Sequence, residues 1–223
     1  MRRRPRYSGR MAAADRLVWI DCEMTGLDLG IDELVEVAAV VTDFDLKPLD
    51  PGFDIVIKPS DAAFAQMGDV VRTMHSDSGL TEAMQHGVSL GEAESRVLEY
   101  LQRFTSPGQA PIAGNTIGTD RSFLVRWMPR VDAHLHYRSI DVSSIKELVK
   151  RWFPRVYYNA PAKHGGHRAL ADILESIREL DYYRRAAFVP LPGPTSEQAQ
   201  AAAAEVLQAY AQQSPSGTAS AVQ

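Results

Sequence analysis

Hydrophobic residues recur with two different periods along the chain, and the switches between them mark out its elements. Residues 17–24 (LVWIDCEM) open on four consecutive apolar, β-prone residues and then alternate, which predicts a strand buried on both faces for most of its length. Residues 34–43 (LVEVAAVVTD) read as a second apolar strand and 53–58 (FDIVIK) as an alternating third. The segments joining them, 27–33 and 44–52, are short and rich in Asp, Gly and Pro, as connections between antiparallel neighbours require. Residues 61–88 hold no sustained period and predict only short helical pieces. From 89 to 105 the period is helical, with Ser89 as cap, acids in the first turns and Val97, Leu98, Leu101 and Phe104 as the buried stripe. A short buried strand follows at 110–114 (APIAG), then a turn at 115–118 into a helix carrying DRSFLVRWM. Residues 134–142 predict a short strand leading into a helix over 143–153 that buries Ile145, Leu148, Val149 and Trp152. The last strong helix, 167–185, buries Leu170, Ile173, Leu174, Ile177 and Leu180.

Composition sets the frame around these elements. The 223 residues suit one α/β domain with appendages, and 45% hydrophobic with 23% charged residues are globular values. Three segments are expected: a basic flexible extension over 1–15, a domain over 16–189, and a Pro- and Ala-rich tail over 190–223, partly helical and partly disordered. The net charge of −4 conceals an asymmetry, because residues 1–16 hold six arginines and one acid, leaving 18 basic against 27 acidic residues in 17–223. So acidic a body argues against a broad electrostatic grip on long nucleic acid, though not against a small anionic substrate. Cys22 is the only cysteine, which excludes an intrachain disulfide and a thiolate metal cluster. No apolar run reaches the length of a membrane span. The basic start lacks the apolar segment of an ordinary secretory signal, and Pro5 with a scarcity of Ser speaks against an organellar presequence, so a cytoplasmic protein is expected. Met11 is an alternative start to Met1.

The chemistry concentrates first at Asp21 and Glu23. Strand alternation points both the same way, while Val18, Ile20, Cys22 and Met24 point the other. Two like charges at the end of a buried strand repel and are costly to desolvate, and a divalent cation removes both problems. Pairs of acids spaced this way also arise by chance, as at Asp43/Asp45 and Glu92/Glu94, so a metal site needs further ligands. Glu36, the one acid inside the second strand, either supports that site from behind or lies on a solvated face of the sheet. Asp120 shares a helix face with Phe123, Leu124 and Trp127 and either caps the helix or binds an ion. His167 opens the last long helix behind Gly165 and Gly166, with Asp172 one turn inside.

Taken together, Asp21-x-Glu23, then Asp120, then His167-x4-Asp172 resembles the motif order of the DEDDh exonucleases. The longer strings WIDCEMTGL (19–27), GNTIGTDRSFL (114–124), HYRSIDVSSIKELV (136–149) and HRALADILES (167–176) are similar to the oligoribonuclease family within that superfamily, over about residues 16–189. The resemblance implies a ribonuclease H-like α/β fold, a mixed five-stranded sheet flanked by helices, with which the strands and helices inferred above agree. It implies that Asp21, Glu23, Asp120 and Asp172 hold two divalent cations, Mg²⁺ or Mn²⁺, whose hardness suits oxygen ligands, and that His167 is the general base. It further implies a 3′→5′ exoribonuclease that finishes RNA decay by hydrolysing very short oligoribonucleotides, above all 5′-phosphorylated dinucleotides, to nucleoside 5′-monophosphates.

For the substrate, the resemblance places Leu27 as a wedge between bases and His75 near a base. Thr116, Arg138 and Ser143 form a cap on the terminal phosphate, with Tyr137 reaching in from the second subunit of a homodimer. Val70 stands where the family often has an aromatic residue, which implies weaker stacking there. Two other readings stay on the table: a DNA-proofreading type of DEDDh exonuclease, indifferent to substrate length, and a non-catalytic dinucleotide-binding protein. The second is usually marked by a missing acid or histidine, and all five residues are present.

Overall fold

The computed structural model describes residues 16–162 and 168–211. Its first compact unit ends at Ala186, and a second runs from Ala187 onward. The first is built on a five-stranded mixed sheet. Strands β1 (Arg16–Met24), β2 (Leu34–Asp43), β3 (Phe53–Val56), β4 (Pro111–Gly114) and β5 (His136–Asp141) lie in the order β3-β2-β1-β4-β5. The first three pair antiparallel, whereas β4 runs parallel to β1 and β5 parallel to β4. This is the ribonuclease H-like arrangement that the resemblance implies.

The apolar run that opens β1 puts it at the centre, where both faces are covered. On one face Val18, Ile20 and Cys22 join Val37, Ala39 and Val41 of β2 in a single core with α4 (Leu90–Gln102), α5 (Ile117–Trp127) and α6 (Pro129–His134). Ser89 caps α4 as predicted, accepting from the Glu92 backbone N–H. On the other face lie Leu17, Trp19 and Val40, under α9 (Ala169–Ala186), with α7 (Val142–Trp152) packed against α9. Three short helices, α1 (Asp61–Gln66), α2 (Asp69–Asp77) and α3 (Leu80–Met84), fill the segment without a sustained period and cover the β3 side. A further short helix, α8 (Pro154–Tyr158), follows α7. No described helix is long and apolar enough to cross a membrane.

Several sequence expectations are corrected here. Strand β3 stops at Val56; beyond it the Ile57 N–H still donates to the Val35 carbonyl at 2.8 Å, and Ile57 forms an isolated bridge to Val88. Helix α7 buries Val142 and Val149, but Leu148 and Trp152 are exposed, and on α9 Leu174 is exposed too. The helical period finds the stripe facing the sheet but overestimates its width, because these helices are the outer layer. The helix α6 is too short to show a period. Glu36 is not on a solvated face: it is 1% exposed, since β2 has no solvated face. In the second unit, Thr195 and Gln198 exchange backbone-to-side-chain hydrogen bonds ahead of helix α10 (Ser196–Ala211), a reciprocal N-terminal cap.

One buried polar contact ties β1 to β2. The Trp19 indole N–H donates to the Thr42 hydroxyl at 3.0 Å, and both residues are fully buried. Thr42→Val keeps the shape but orphans the indole N–H, so urea unfolding should show a loss of about 1–3 kcal/mol, while Thr42→Ser should remain near wild type.

Candidate active site

Strand β1 delivers Asp21 and Glu23 on the face that α9 covers, and α9 brings Asp172 to them. One carboxylate oxygen from each of Asp21, Glu23 and Asp172 lies within 4.8 Å of the others. Asp120, 7% exposed, stands beside this trio rather than in it: its Oδ1 accepts the Cys22 backbone N–H at 3.0 Å. Asp120 therefore does not cap its helix in the ordinary way. It pins α5 to the C-terminal part of β1, close enough to the other acids to raise the proton affinity of Asp21 and Glu23. Cys22 itself is buried in the core on the opposite face, as alternation predicts.

Burial and crowding raise the proton affinity of these acids. Asp21 is pushed up to about 9, chiefly by burial and then by Asp120, Glu23 and Asp172. Glu23 rises to about 8, by burial and then by Glu36, Asp172 and Asp120, with Arg168 opposing. Asp120 rises to about 7 through burial, against the hydrogen bond from Cys22. Side chains that share a proton or a cation behave this way, and a set of hard oxygen donors fits a divalent ion such as Mg²⁺ or Mn²⁺.

The turn that ends β1 is built around Asp32. Its carboxylate accepts the Thr25 hydroxyl and the Asp28 backbone N–H, each at 2.8 Å. A Cβ at Gly26 would run into that carboxylate, so glycine is required there. The turn leaves Leu27 75% exposed. His75 is the reverse case. It is fully buried, its Nε2 donates to the Met24 carbonyl at 2.9 Å, and its Nδ1 lies 4.0 Å from Glu23. It props the end of β1 beside Glu23. Val70 projects 83% exposed from α2.

A second cluster forms where β4 and β5 end. Thr116 sits at a positive φ of 53°, a conformation unfavourable for a β-branched residue. It is held by its backbone N–H, which donates to Asp141 and to the Ser143 hydroxyl at 3.0 Å each. The Thr116 and Ser143 hydroxyls are 3.1 Å apart. Arg138 lies three residues before Asp141 on the exposed edge strand, about 10 Å back along it, where its guanidinium stacks on the Tyr137 ring at 5.4 Å. Tyr137 is 73% exposed. The structure thus brings Thr116 and Ser143 together and leaves Tyr137 and Arg138 further along the same edge. His167 lies outside the described residues.

Sequence reasoning missed the residues that hold these groups in place. Asn115 donates to Ser176 and Glu179 of α9 and accepts from Ser143, and Glu179 also takes Tyr183 and Lys146. Arg168 pairs with Glu36. Tyr183 aside, each partner is distant in sequence, so no local pattern announces it.

Comparison with known proteins agrees with this geometry. Residues 18–180 match the RNase_T exonuclease family. The chain is 67% identical to the oligoribonuclease of Leifsonia xyli subsp. xyli over 199 residues, covering 89% of this chain and 96% of that one. It is 58% identical to the oligoribonuclease of Streptomyces avermitilis, over 86% of this chain and 96% of the relative. Among solved structures, exonuclease I of Methylocaldum szegediense superposes with a TM-score of 0.59 at 18% identity, over 77% of this chain. This chain spans 41% of that exonuclease I chain, and so distant a likeness speaks for the fold alone. With the acidic trio, the neighbouring aspartate and the sheet order all in place, the chain belongs to the oligoribonuclease family of DEDDh exonucleases.

Proposed function

We propose that this hydrolytic exonuclease acts from the 3′ end on very short oligoribonucleotides, 5′-phosphorylated dinucleotides foremost, and releases nucleoside 5′-monophosphates. The observation that carries this is the convergence of Asp21, Glu23 and Asp172 oxygens within 4.8 Å, with Asp120 alongside, in a member of that family. Asp21, Glu23, Asp120 and Asp172 would hold two divalent cations, Mg²⁺ or Mn²⁺. Such ions supply charge stabilisation for the attacking and leaving oxygens of an in-line displacement and lower the pKa of water.

The chain's own residues do the rest. The four acids fix where the scissile phosphate can sit. His167, assigned from its motif, takes the proton of the attacking water. Leu27, presented by the Asp32-pinned turn, wedges between bases. The Thr116 and Ser143 hydroxyls, with Arg138, receive the terminal 5′-phosphate, whose extra charge a longer chain lacks at that place. Tyr137 completes this cap from the second copy in a homodimer, and its exposure leaves it available for that contact. With Val70 in place of an aromatic ring, stacking at that position is weak.

Three outcomes test the reading. On 5′-phosphorylated RNAs of two to ten residues with Mn²⁺, kcat/KM should fall steeply beyond the dinucleotide; a flat profile over RNA and DNA lengths would mean a proofreading-type enzyme instead. Asp120→Ala should lower turnover by at least ~100-fold. His167→Ala should lower kcat by about 10²–10⁴-fold while metal and substrate still bind.

A pH experiment addresses the acids directly. Asp21, Glu23 and Asp120 hold protons more tightly folded than unfolded. In EDTA, the stabilising contribution of these three groups is therefore fully present below the ordinary carboxylate range and is lost as pH rises towards 9. A cation needs the ionised forms, so the rise in Tm on adding Mg²⁺ or Mn²⁺ should be larger at pH 8.5 than at pH 6. A metal-induced increment independent of pH would contradict the assignment of these acids as ligands.

A further inference from the structure

Glu36 and Arg168 form a bonded unit that none of the roles above uses. Glu36 is 1% exposed and stands directly opposite Glu23 in the β1–β2 register. Arg168 grips it with both Nε and Nη2, at 3.0 and 2.7 Å to Oε1. Glu36 Oε2 also accepts the backbone N–H of Ala169, the first residue of α9, at 3.1 Å. One turn on, the Asp172 backbone N–H donates to the Arg168 carbonyl at 3.1 Å. A short chain of bonded contacts therefore runs from strand β2, through Arg168 and the first turn of α9, to Asp172.

A stability role alone explains this poorly. Glu36 gives up its hydration to be buried while Arg168 stays partly exposed, so the desolvation of Glu36 offsets much of their attraction. A further carboxylate beside Glu23 also adds to the repulsion at the site. What the pair does supply is geometry: two guanidinium nitrogens converge on Oε1 while Oε2 accepts from the Ala169 backbone, so the start of α9 has one position against β2.

We propose that the Glu36–Arg168 pair is a positioning device for Asp172, fixing the start of α9 so that the Asp172 carboxylate meets those of Asp21 and Glu23, and thereby setting the affinity for divalent cations without touching them. The inference rests on the acidic cluster being a cation site. Arg168 hydrogen-bonds Glu36, and acts on Glu23 only through its charge. Partners of this kind, one step behind a ligand, typically cost about 10–100-fold in metal affinity when removed.

The test is Mn²⁺ binding to the full chain by isothermal titration calorimetry, alongside urea unfolding and the Mn²⁺ dependence of kcat. Glu36→Ala and Arg168→Ala should each weaken Mn²⁺ binding about 10–100-fold, and the double variant should be little worse than either single, as for two halves of one device. Glu36→Gln keeps an acceptor for the Ala169 N–H and should fall in between, and at saturating Mn²⁺ its kcat should return towards wild type. Arg168→Lys keeps the charge but not the fork and should still weaken binding, so both conservative variants report should the alanine variants not fold. Variants that lose stability while Mn²⁺ affinity stays within twofold of wild type would reduce the pair to a structural tie and overturn the proposal. Tighter binding in Arg168→Ala would do so too, since it would show an effect of charge alone. A wild-type chain that binds no Mn²⁺ would instead overturn the cation site, and the proposal with it.

Discussion

The mutual repulsion of carboxylates at the end of a buried strand is the constraint on which the rest of this structure depends. Asp21 and Glu23 must be buried to lie at the crevice above the sheet, and burial is what makes their charges costly. The remaining features read as answers to that problem. β1 is central, so both faces of its apolar half are covered and the cost at its end is borne by a stiff support. Asp120 spends one oxygen on the Cys22 N–H, which holds it in place and partly offsets its own desolvation. His75 props the Met24 carbonyl, so the strand does not fray where the acids emerge.

The parallel half of the sheet explains why one edge carries all the chemistry. β1, β4 and β5 run in the same direction, and their C-terminal ends deliver Asp21 and Glu23, then Asn115 and Thr116, then Asp141 and Ser143 to the same rim, the usual place for ligands in such sheets. Only β4 separates β1 from β5, so about 10 Å divides the acids from the Thr116–Ser143 corner at ordinary strand spacing. The left-handed Thr116 is the strained piece of this rim. It is held by Asp141 and Ser143 from β5 and α7, and indirectly by Glu179 of α9 through Asn115. The same helix α9 therefore braces both clusters, one through Asp172 and one through Ser176 and Glu179.

What the sequence makes legible, and what it hides, follows from the range over which each signal acts. β1 and β2 could be placed almost to the residue because a run of buried β-branched and aromatic side chains is a local signal. The pairing of Asp21 with Glu23 followed from alternation alone. Helical stripes were located correctly, but their edges were not: Leu148, Trp152 and Leu174 fit the period and yet are exposed, because the period reports a direction and not what covers it. Glu36 was ambiguous for the same reason, since a lone acid in an apolar strand looks alike whether solvent or an arginine 132 positions away satisfies it. For His75 too the sequence is silent on the support it gives: nothing local announces that its ring bonds the Met24 carbonyl 51 positions away.

The placement of Arg168 shows how the charge problem is divided. A cation side chain aimed at Asp21 and Glu23 would relieve their repulsion, but it would also stand where a metal ion must, as a fixed competitor. Leaving the acids with no positive charge nearby would put the whole cost of burial on the fold. In this chain the guanidinium is bound to Glu36, which stands beside Glu23 on the neighbouring strand, close enough to lower the proton affinity of Glu23. Asp21 and Asp120 hold their protons well above the ordinary carboxylate range. A fold that tolerates this repulsion at its centre gives up stability there, the trade between stability and function expected at a preorganised site.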